Sequence, residues 1–293
     1  MDYLLEVSDL RRFYKLGNGR VLKAVDGVSF GVRPGEIFGL VGESGSGKST
    51  AARCAAGLEA PVSGTSLFDG ILVSDRREYR RHKKTICRNL QMVFQDSDSA
   101  VNPRMTVEQI VEEPLLIQRI CARGERREKA AELLVQAGLD ASFLGRYPTE
   151  LSGGQRQRVC IARALAVSPK LLIADEPIAS LDVSIGAQIA SLFRTLCRER
   201  GMACLMIAHD LELVRSLCDR IGVMYRGKLV ELAPAEELSA SPRHPYTQAL
   251  LSAVPVPDPD IPQEFREYRP SERFGEEGRW LESSPGHFVY DRI

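Results

Sequence analysis

The stretch that decides the fold is GESGSGKST, Gly42 to Thr50, which directly follows the apolar run EIFGLV, Glu36 to Val41. A nearly continuous apolar run stopped by glycine predicts a strand buried on both faces. From Lys48 the sequence predicts a helix that continues to about Gly57. A strand, a GxxxxGK turn followed by Ser or Thr, and a helix together form the arrangement that cradles a polyphosphate.

The chemistry of this turn assigns a role to its residues. Glycines let successive amide hydrogens point inward, and the dipole of the following helix adds positive potential. Lys48 is predicted to reach the outer phosphates and the Ser49 hydroxyl to take one Mg²⁺ position. A turn that only closes a strand-to-helix connection would need no lysine. The predicted nucleotide-binding residues are Gly42, Glu43, Ser44, Gly45, Ser46, Gly47, Lys48, Ser49 and Thr50.

Two adjacent carboxylates stand at the end of a second apolar run, LLIADEP, residues 171–177. A pair of acids at a strand end can be a solvated turn, but beside a phosphate loop it favours a hydrolytic role. We expect Asp175 to emerge next to the phosphate loop and to hold Mg²⁺ through water. We expect Glu176 to polarise the attacking water as a general base.

A second glycine turn opens the segment LSGGQRQRVCIARAL, residues 151–165. A helix start exposes free amide hydrogens and is therefore an anion site, and Ser152, Gly153 and Gly154 provide one here. One nucleotide already has its phosphates in the first turn. The second turn is therefore predicted to serve a nucleotide bound to another molecule, in a head-to-tail pair that sandwiches its nucleotides. The alternative is a well-capped helix whose basic face is solvated, with Arg156, Arg158 and Arg163.

Composition and cysteine usage indicate an ordinary globular protein of 293 residues, with 44% hydrophobic and 27% charged residues. Lys plus Arg and Asp plus Glu number 39 each, so no net field favours nucleic acid or an anionic membrane as the main partner. The seven cysteines are scattered without a CxxC pair, which indicates small buried residues in a reducing compartment. No stretch approaches the roughly 18 uninterrupted apolar residues that a membrane span needs.

Strand and helix patterns alternate along the chain and predict a largely parallel sheet with helices on both faces. Residues 4–32 predict small antiparallel strands, and residues 96–103 a loop. The last thirty or so residues, after the proline-rich stretch 255–262, are expected to pack only locally. Further strands are predicted at residues 65–68, 90–95, 203–210, 221–225 and 228–232. Helices are predicted over residues 107–137, with a bend at Pro114 and an end at Gly138. Another helix is predicted around Ile185, Ile189, Leu192 and Leu196.

The order of these motifs resembles the ATP-binding subunit of an ABC transporter. LSGGQ is the signature of that family, and the full series of its motifs lies within residues 42 to 209. The resemblance covers about the first 250 residues. It implies an α/β fold, a P-loop ABC ATPase with a RecA-like parallel-sheet core, an N-terminal antiparallel β region, a helical subdomain and a short C-terminal extension. The expected ATPase domain is residues 1–240, with the helical subdomain at about 96–165, and the extension is 241–293.

The resemblance also assigns roles to individual residues. Gln95 in MVFQD is expected to contact Mg²⁺ or the attacking water, and His209 in IAHDL to hold the γ-phosphate and position Glu176. Tyr14 is expected to stack on adenine, with Phe13 as the alternative. The residues expected to contact the nucleotide of the other subunit are Ser152, Gly153, Gly154, Gln155 and Asp182, and the Mg²⁺ ligands are expected to be Ser49, Gln95 and Asp175.

A finer resemblance indicates the oligopeptide, dipeptide and nickel importer branch. It rests on VFQDSDSAVNPRMTV, RYPTELSGGQRQR and DEPIASLDVSIGAQI, and on SPRHPYTQALLSAVP at residues 241–255. SPGHFVYD, residues 284–291, resembles the usual ending of this branch. Two departures have consequences. No cysteine follows Cys218, which predicts that the chain has no iron-sulfur cluster, and Ala179 stands where the family has serine, which removes a hydroxyl near the expected dimer interface.

The expected function is therefore an ATPase of a bacterial importer, peripheral on the cytoplasmic face of the inner membrane. The branch implies two integral-membrane permease subunits, a second ATPase subunit that is identical or different, an external solute-binding protein and no nucleic acid. The solute could be a peptide, a metal, an opine or a sugar. The alternative is a soluble ABC ATPase acting on nucleic acid or ribosomes, but such proteins tend to have a coiled-coil insertion or tandem cassettes, and neither occurs here.

Overall fold

The computed structural model describes residues 3–178, 182–253, 266–271, 274 and 278–291, without the side chains of Asn18, Val183 and Glu212. The strands are β1 (Leu5–Lys15), β2 (Val21–Val32), β3 (Ile37–Val41), β4 (Ser63–Phe68), β5 (Ile71–Leu72), β6 (Leu90–Val93), β7 (Leu171–Asp175), β8 (Ala203–Ala208), β9 (Arg220–Tyr225), β10 (Lys228–Pro234), β11 (Trp280–Ser284) and β12 (His287–Tyr290). The helices are α1 (Lys48–Ala55), α2 (Arg76–Asn89), α3 (Ser97–Ala100), α4 (Val107–Gln118), α5 (Arg126–Gln136), α6 (Gly153–Leu165), α7 (Val183–Arg200), α8 (Leu211–Leu217), α9 (Ala235–Ala240) and α10 (Pro245–Ser252).

The chain divides into two compact units, one of residues 1–79 with 206–293 and one of residues 80–205. In the first unit, β2, β1, β4 and β5 form an antiparallel sheet in that order. Val7 pairs with Phe30 in the register of β1 against β2. Leu5, Val7 and Leu10 are buried, and the register shift between Val7 and Leu10 accounts for the break in their alternation. The predicted antiparallel region is confirmed.

A second set of strands in the first unit carries the phosphate loop. Strand β3 is buried at every position and pairs in parallel with β9, with Val41 opposite Val223. Strand β10 then pairs antiparallel with β9. Phe38 of β3 stacks on Phe30 of β2 with ring centroids 5.4 Å apart. The predicted buried strand before the glycine turn is confirmed, because apolar side chains on both faces leave it no solvated side.

The second unit places β6 in parallel with β7, with Leu90 opposite Leu171. Helix α4 packs against α5 and α6, and Leu115, Leu134 and Ile161 are fully buried. Helix α5 ends before Gly138, which has a left-handed φ of 76° and so lets the chain leave the helix. The predicted helices are confirmed, and the bend expected at Pro114 stays a prediction.

Helices α2 and α3 are among the elements that differ from the prediction. Helix α2 was not predicted, because Ile86 is its one buried residue and its sequence therefore shows no apolar stripe. The sequence of residues 96–103 predicts a loop, but this stretch begins with the one-turn helix α3. The Asp96 carboxylate accepts the N–H groups of Asp98 and Ser99 and so caps this helix.

The expectation for the last thirty residues was wrong where the structure describes them. Strand β12 pairs with β10, with Leu232 opposite Phe288, and β11 pairs with β12. The tail therefore extends the strand set of the first unit instead of packing only on itself. A buried side chain, His287, accounts for this attachment, because its Nε2 lies 2.7 Å from Oε1 of the buried Glu231. The proline-rich stretch 255–262 and Ala179 lie outside the described residues.

Glu231 organises a buried polar cluster in the C-terminal region. Its carboxylate accepts the N–H of Arg243 at 2.7 Å and the N–H of His244 at 3.1 Å. The Nδ1 atom of His244 in turn accepts the N–H of Tyr246 at 3.1 Å and caps α10. Burial lowers the pKa of His244 to about 4, although the charge of Glu231 acts in the opposite direction.

The depressed pKa of His244 predicts a loss of stability in mild acid. The imidazole is neutral in the folded state down to about pH 4, whereas in the unfolded chain it takes a proton near its ordinary pKa of 6.5. The unfolded state therefore binds the extra proton, and stability falls as the pH falls from about 6.5 toward 4. Between pH 7 and pH 5 we expect a loss of about 2 kcal/mol from this group.

Urea unfolding of the wild type and of His244→Asn at pH 7 and pH 5 measures this contribution. Asparagine retains a capping acceptor but cannot take the proton. The variant should lose less unfolding free energy than the wild type over this range. Parallel losses in the two proteins would show that His244 does not cause the acid sensitivity.

Candidate functional site

The phosphate loop, Gly42–Lys48, connects β3 to α1 in the first unit. The side chain of Lys48 is 3% exposed, and its Nζ donates to the carbonyl oxygens of Gly42 at 2.7 Å and Glu43 at 2.9 Å. The N–H of Ser46 donates to the same Glu43 oxygen at 3.1 Å. These bonds fold the loop around the lysine ammonium group, at the N-terminus of a helix, where an anion is favoured.

Two further contacts hold the outside of this loop. The N–H of Gly227, in the turn between β9 and β10, donates to the backbone carbonyl oxygen of Ser46 at 2.9 Å. The hydroxyl oxygen of Tyr246, in α10, accepts the N–H of Glu43 at 3.0 Å. The loop is therefore supported by segments about 180 to 200 residues later in the sequence.

The glycine at position 47 is required by the backbone. Gly47 has φ of 104°, and a Cβ atom there would lie 2.0 Å from the carbonyl oxygen of Ala24. Such a contact is far inside van der Waals distance, and its partner is backbone that cannot rotate away. Gly45 has φ of 79° but no described atom within 4 Å of a Cβ position.

Tyr14, the residue expected to stack on adenine, lies in β1 of the same unit. Its hydroxyl donates to Glu59 Oε2 at 2.6 Å, and the guanidinium group of Arg12 lies 4.8 Å from its ring centroid. The hydrogen bond with Tyr14, assisted by the charge of Glu59, raises the pKa of Arg12. The tyrosine ring is thus held from its hydroxyl end by a charged cluster. The ring centroid of Phe13, the alternative residue for stacking, lies 5.7 Å from Lys23 Nζ.

His209, also in the first unit, directly follows β8 and is exposed. It precedes α8, at whose start the Asp210 carboxylate accepts the N–H of Leu213 at 3.1 Å. This cap fixes the point where the chain turns from strand to helix. The imidazole is therefore presented at a strand end, as the motif predicts.

The second unit brings together the predicted glutamine and the predicted general base. Gln95 follows β6, Glu176 follows β7, and the Gln95 Nε2 donates to Glu176 Oε2 at 3.1 Å. Parallel neighbouring strands end at the same edge, which accounts for this meeting of residues 81 positions apart. Asp175, the last residue of β7, is 1% exposed.

Glu176 has an unusual backbone conformation. Its φ is 46°, in the left-handed region that a residue with a side chain rarely adopts. Such strain costs of order 1 kcal/mol or more and is maintained where the surroundings impose it, often at active sites. Here it lies between the buried Asp175 and Pro177, and it aims the carboxylate at Gln95.

The donor set expected for magnesium consists of oxygen atoms, from the Ser49 hydroxyl, the Gln95 amide and the Asp175 carboxylate. These are the ligands that Mg²⁺ prefers, commonly one or two carboxylates with substrate phosphates and water. Within the described ranges no group of three or more His, Cys, Asp or Glu side chains could hold a metal ion. The oxygen donors of these three side chains fit magnesium whose remaining ligands are phosphates and water.

The second glycine turn begins α6 with a capping box. The Ser152 Oγ accepts the N–H of Gln155 at 3.3 Å, and the Gln155 Oε1 accepts the N–H of Ser152 at 2.9 Å. Gly153 and Gly154 follow without side chains; Ser152 is exposed and Gly154 is buried. Asp182, expected at the same interface, is exposed at the N-terminus of α7.

The basic residues of α6 are not simply solvated. Arg156 donates to the Leu151 carbonyl oxygen and forms an ion pair with Asp98. Arg158 donates to the carbonyl oxygen of Ala137 at 3.0 Å. Arg163 donates to the carbonyl oxygen of Ala100 at 2.6 Å. These guanidinium groups fix the loops around the helix. The alternative of a solvated basic face is therefore wrong for these side chains.

Comparison with known proteins decides the family. The family model described as "ABC transporter" matches residues 25–179. The chain belongs to the ABC transporter family. A second model, described as "Oligopeptide/dipeptide transporter, C-terminal region", matches residues 230–278. The expected family and α/β fold class are confirmed.

Similar curated proteins of the ABC transporter family cover nearly the whole chain. The oligopeptide transport ATP-binding protein OppF of Bacillus subtilis is 49% identical, over 98% of this chain and 96% of that protein. The oligopeptide transport ATP-binding protein AmiF of Streptococcus pneumoniae is 44% identical, over 99% of this chain and 95% of that protein.

Solved ABC cassettes share the fold. The ATP-binding cassette MJ0796, in a dimeric structure of a post-hydrolysis state bound to ADP and Pi, is 32% identical with a TM-score of 0.71. That comparison covers 79% of this chain and 98% of the cassette. In the described part of this ABC chain, no helix has the length and apolar character to cross a bilayer.

Sequence reasoning missed two supports of this ABC phosphate loop, Gly227 and Tyr246. Gly227 stands in a YRGK turn between two strand patterns, so a turn was predictable but its contact with Ser46 was not. Tyr246 lies in the HPY stretch, which was recognised only as a family resemblance. Neither contact leaves a periodic signal, because each joins segments distant in sequence.

The two glycines at positions 47 and 45 predict different costs on substitution. Gly47→Ala places a Cβ against the Ala24 carbonyl and should displace the loop, with a loss of about 3 kcal/mol or more in unfolding free energy. Gly45→Ala meets open space and should lose only about 1 kcal/mol for its left-handed backbone. Urea unfolding measures both, and equal losses would contradict the close approach described for Gly47.

Proposed function

We propose that the chain is the ATP-hydrolysing subunit of an ABC importer that energises peptide uptake across the bacterial inner membrane. The observation that carries this proposal is the joining of an ABC ATPase region to an oligopeptide-transporter C-terminal region in one chain. The curated relatives named above are oligopeptide transport ATP-binding proteins, which supports peptides as the solute class.

ATP binds, in this proposal, with its phosphates at the phosphate loop and the start of α1, residues 42–50, and its adenine on Tyr14. Lys48 is already held at the loop by two carbonyl oxygens, so its ammonium needs no large movement to meet the outer phosphates. Ser44, Gly45 and Gly47 contribute backbone amides, whereas the N–H groups of Glu43 and Ser46 donate to Tyr246 and to the Glu43 carbonyl and shape the loop. The cluster of Arg12 and Glu59 around Tyr14 keeps the aromatic ring from rotating freely.

Hydrolysis requires a base for the attacking water. Glu176 accepts the proton of the water as its oxygen attacks the γ-phosphorus, and the bond to the β-γ bridging oxygen breaks to give ADP and phosphate. The amide of Gln95 orients the Glu176 carboxylate through the observed hydrogen bond. His209 contacts the γ-phosphate. Ser49, Gln95 and Asp175 would hold magnesium, which would neutralise charge on the phosphates.

The second glycine turn acts on the nucleotide of a partner ATPase subunit, identical to this chain or different. The γ-phosphate of that nucleotide faces the start of α6, with the side chains of Ser152 and Gln155 and the backbone of Gly153 and Gly154. Asp182 lies at the interface between the two subunits. The dimeric state reported for the MJ0796 cassette supports this arrangement. ATP then closes the pair, because its γ-phosphate adds contacts that ADP lacks.

The helical segment 107–137 transmits this closure to two integral-membrane permease subunits, on the cytoplasmic face of the membrane. Leu116 is 53% exposed, Ile117 64% and Val135 60%, all on α4 and α5. Such exposed apolar side chains suit an interface with another subunit. An external solute-binding protein delivers the peptide, so this chain does not contact the solute.

The role of Glu176 is tested with Glu176→Gln in the assembled transporter. The variant should bind ATP with wild-type affinity and lose at least about a hundredfold in turnover, because the amide cannot accept the water proton. Lys48→Ala is the contrasting variant and should lose binding itself. Nucleotide affinity and phosphate release measure the two effects, and near-normal turnover of Glu176→Gln would remove the general-base assignment.

Glu176→Gln also tests whether one nucleotide is held by two ATPase subunits. Glu176→Gln with ATP should form a stable dimer of the ATPase subunits, detected by light scattering. Adding Ser152→Trp should prevent dimer formation while leaving ATP affinity unchanged, because the indole would fill the approach to the helix start. Equal loss of affinity and dimerisation would argue against a nucleotide held by two subunits.

The importer assignment is tested by co-purification and uptake. Affinity purification of the tagged chain from detergent-solubilised membranes should bring two multispanning subunits with it. Reconstituted vesicles with the cognate solute-binding protein should accumulate a labelled peptide only with ATP on this chain's side. Association with nucleic acid or ribosomes, without membrane subunits, would overturn the assignment.

A further inference from the structure

Tyr246 lies in α10 of the C-terminal segment, the expected extension that begins at residue 241. Its side chain bonds directly to the phosphate loop. Its hydroxyl oxygen accepts the N–H of Glu43 at 3.0 Å, across 203 positions in sequence. The side chain is 2% exposed, and its ring centroid lies 4.4 Å from that of Tyr225. The hydroxyl is therefore held at the loop by packing on the body of its ring.

This contact completes the hydrogen bonding of one loop residue. The carbonyl of Glu43 accepts from Lys48 Nζ and from the N–H of Ser46, and the N–H of Glu43 donates to Tyr246. Both polar backbone groups of Glu43 are thus fixed from different directions. A backbone N–H group that loses its partner here would leave the first turn of the phosphate loop with fewer constraints.

Tyr246 is itself anchored at its backbone. Its N–H donates to His244 Nδ1, and the N–H of His244 donates to the buried carboxylate of Glu231 in β10. Burial raises the pKa of Tyr246 to about 12, so its phenol is neutral and brings no negative charge to a phosphate site. A series of hydrogen bonds therefore connects β10, through His244 and Tyr246, to the phosphate loop.

We propose that Tyr246 is a positioning residue for the phosphate loop, through which the C-terminal segment sets the affinity for nucleoside di- and triphosphates. A loop already held in its binding conformation loses less entropy when phosphates bind. The inference rests on the proposed function and adds to it a residue outside all the motifs that bind nucleotide.

Tyr246→Phe tests this role, because phenylalanine keeps the ring and removes the hydroxyl. We expect the dissociation constants for ATP and ADP to rise by similar factors, roughly fivefold, since one hydrogen bond of about 1 kcal/mol is lost. The loop holds phosphates that both nucleotides share. In the assembled transporter KM for ATP should rise by a similar factor while kcat stays near the wild-type value.

Thr247→Val is the matched control on the same helix. Thr247 is fully buried, and within the described residues its Oγ1 has no hydrogen-bond partner. Valine removes this neighbouring hydroxyl with little change of shape, so ATP affinity should stay at the wild-type value. Thermal unfolding of both full-length variants establishes that each is folded before affinities are compared.

The outcomes separate this inference from the proposed function. Weaker ATP and ADP binding in Tyr246→Phe alone supports the positioning role. Unchanged affinity in that variant, an equal loss in Thr247→Val, or a fall in kcat without a change in KM would overturn it. If the wild-type chain bound ATP no better than Lys48→Ala, the proposed function would fail first, and this inference with it.

Discussion

The buried ammonium group of Lys48 donates to the carbonyl oxygens of Gly42 and Glu43, and these bonds close the phosphate loop on itself. The loop can take this path because Gly47 passes the Ala24 carbonyl at a distance that no side chain permits. The buried strand before it and the helix after it fix its two ends. Every other part of the proposed chemistry needs this loop, since an attacking water requires a phosphate held in a known place.

The residues proposed for hydrolysis occur in both units, and each unit orders its own residues. In the first, Lys48 is fixed by the loop and His209 follows a buried strand. In the second, Gln95 and Glu176 are joined by a hydrogen bond and Glu176 is held in a strained conformation. Local ordering of this kind lowers the entropic cost of catalysis, because each side chain already has its orientation.

Much of the fold and the site could be predicted because it is encoded locally. The phosphate loop, β7 and the cap at Ser152 each have a signal within about ten residues. Helix α2 has no such signal, since Ile86 is its one buried side chain. The bond of His287 to Glu231 and that of Tyr246 to Glu43 connect distant segments through single polar atoms, which no periodicity or spacing expresses.

The contact between Tyr246 and Glu43 makes nucleotide binding and the docking of α10 thermodynamically linked. If docked α10 favours the binding conformation of the loop, then bound nucleotide must stabilise docked α10 by the same factor. Glu231 extends this linkage, because it holds both the backbone before α10 and His287 of the terminal hairpin. The C-terminal segment is therefore energetically part of the nucleotide site, although it contains none of the groups that act on the phosphates.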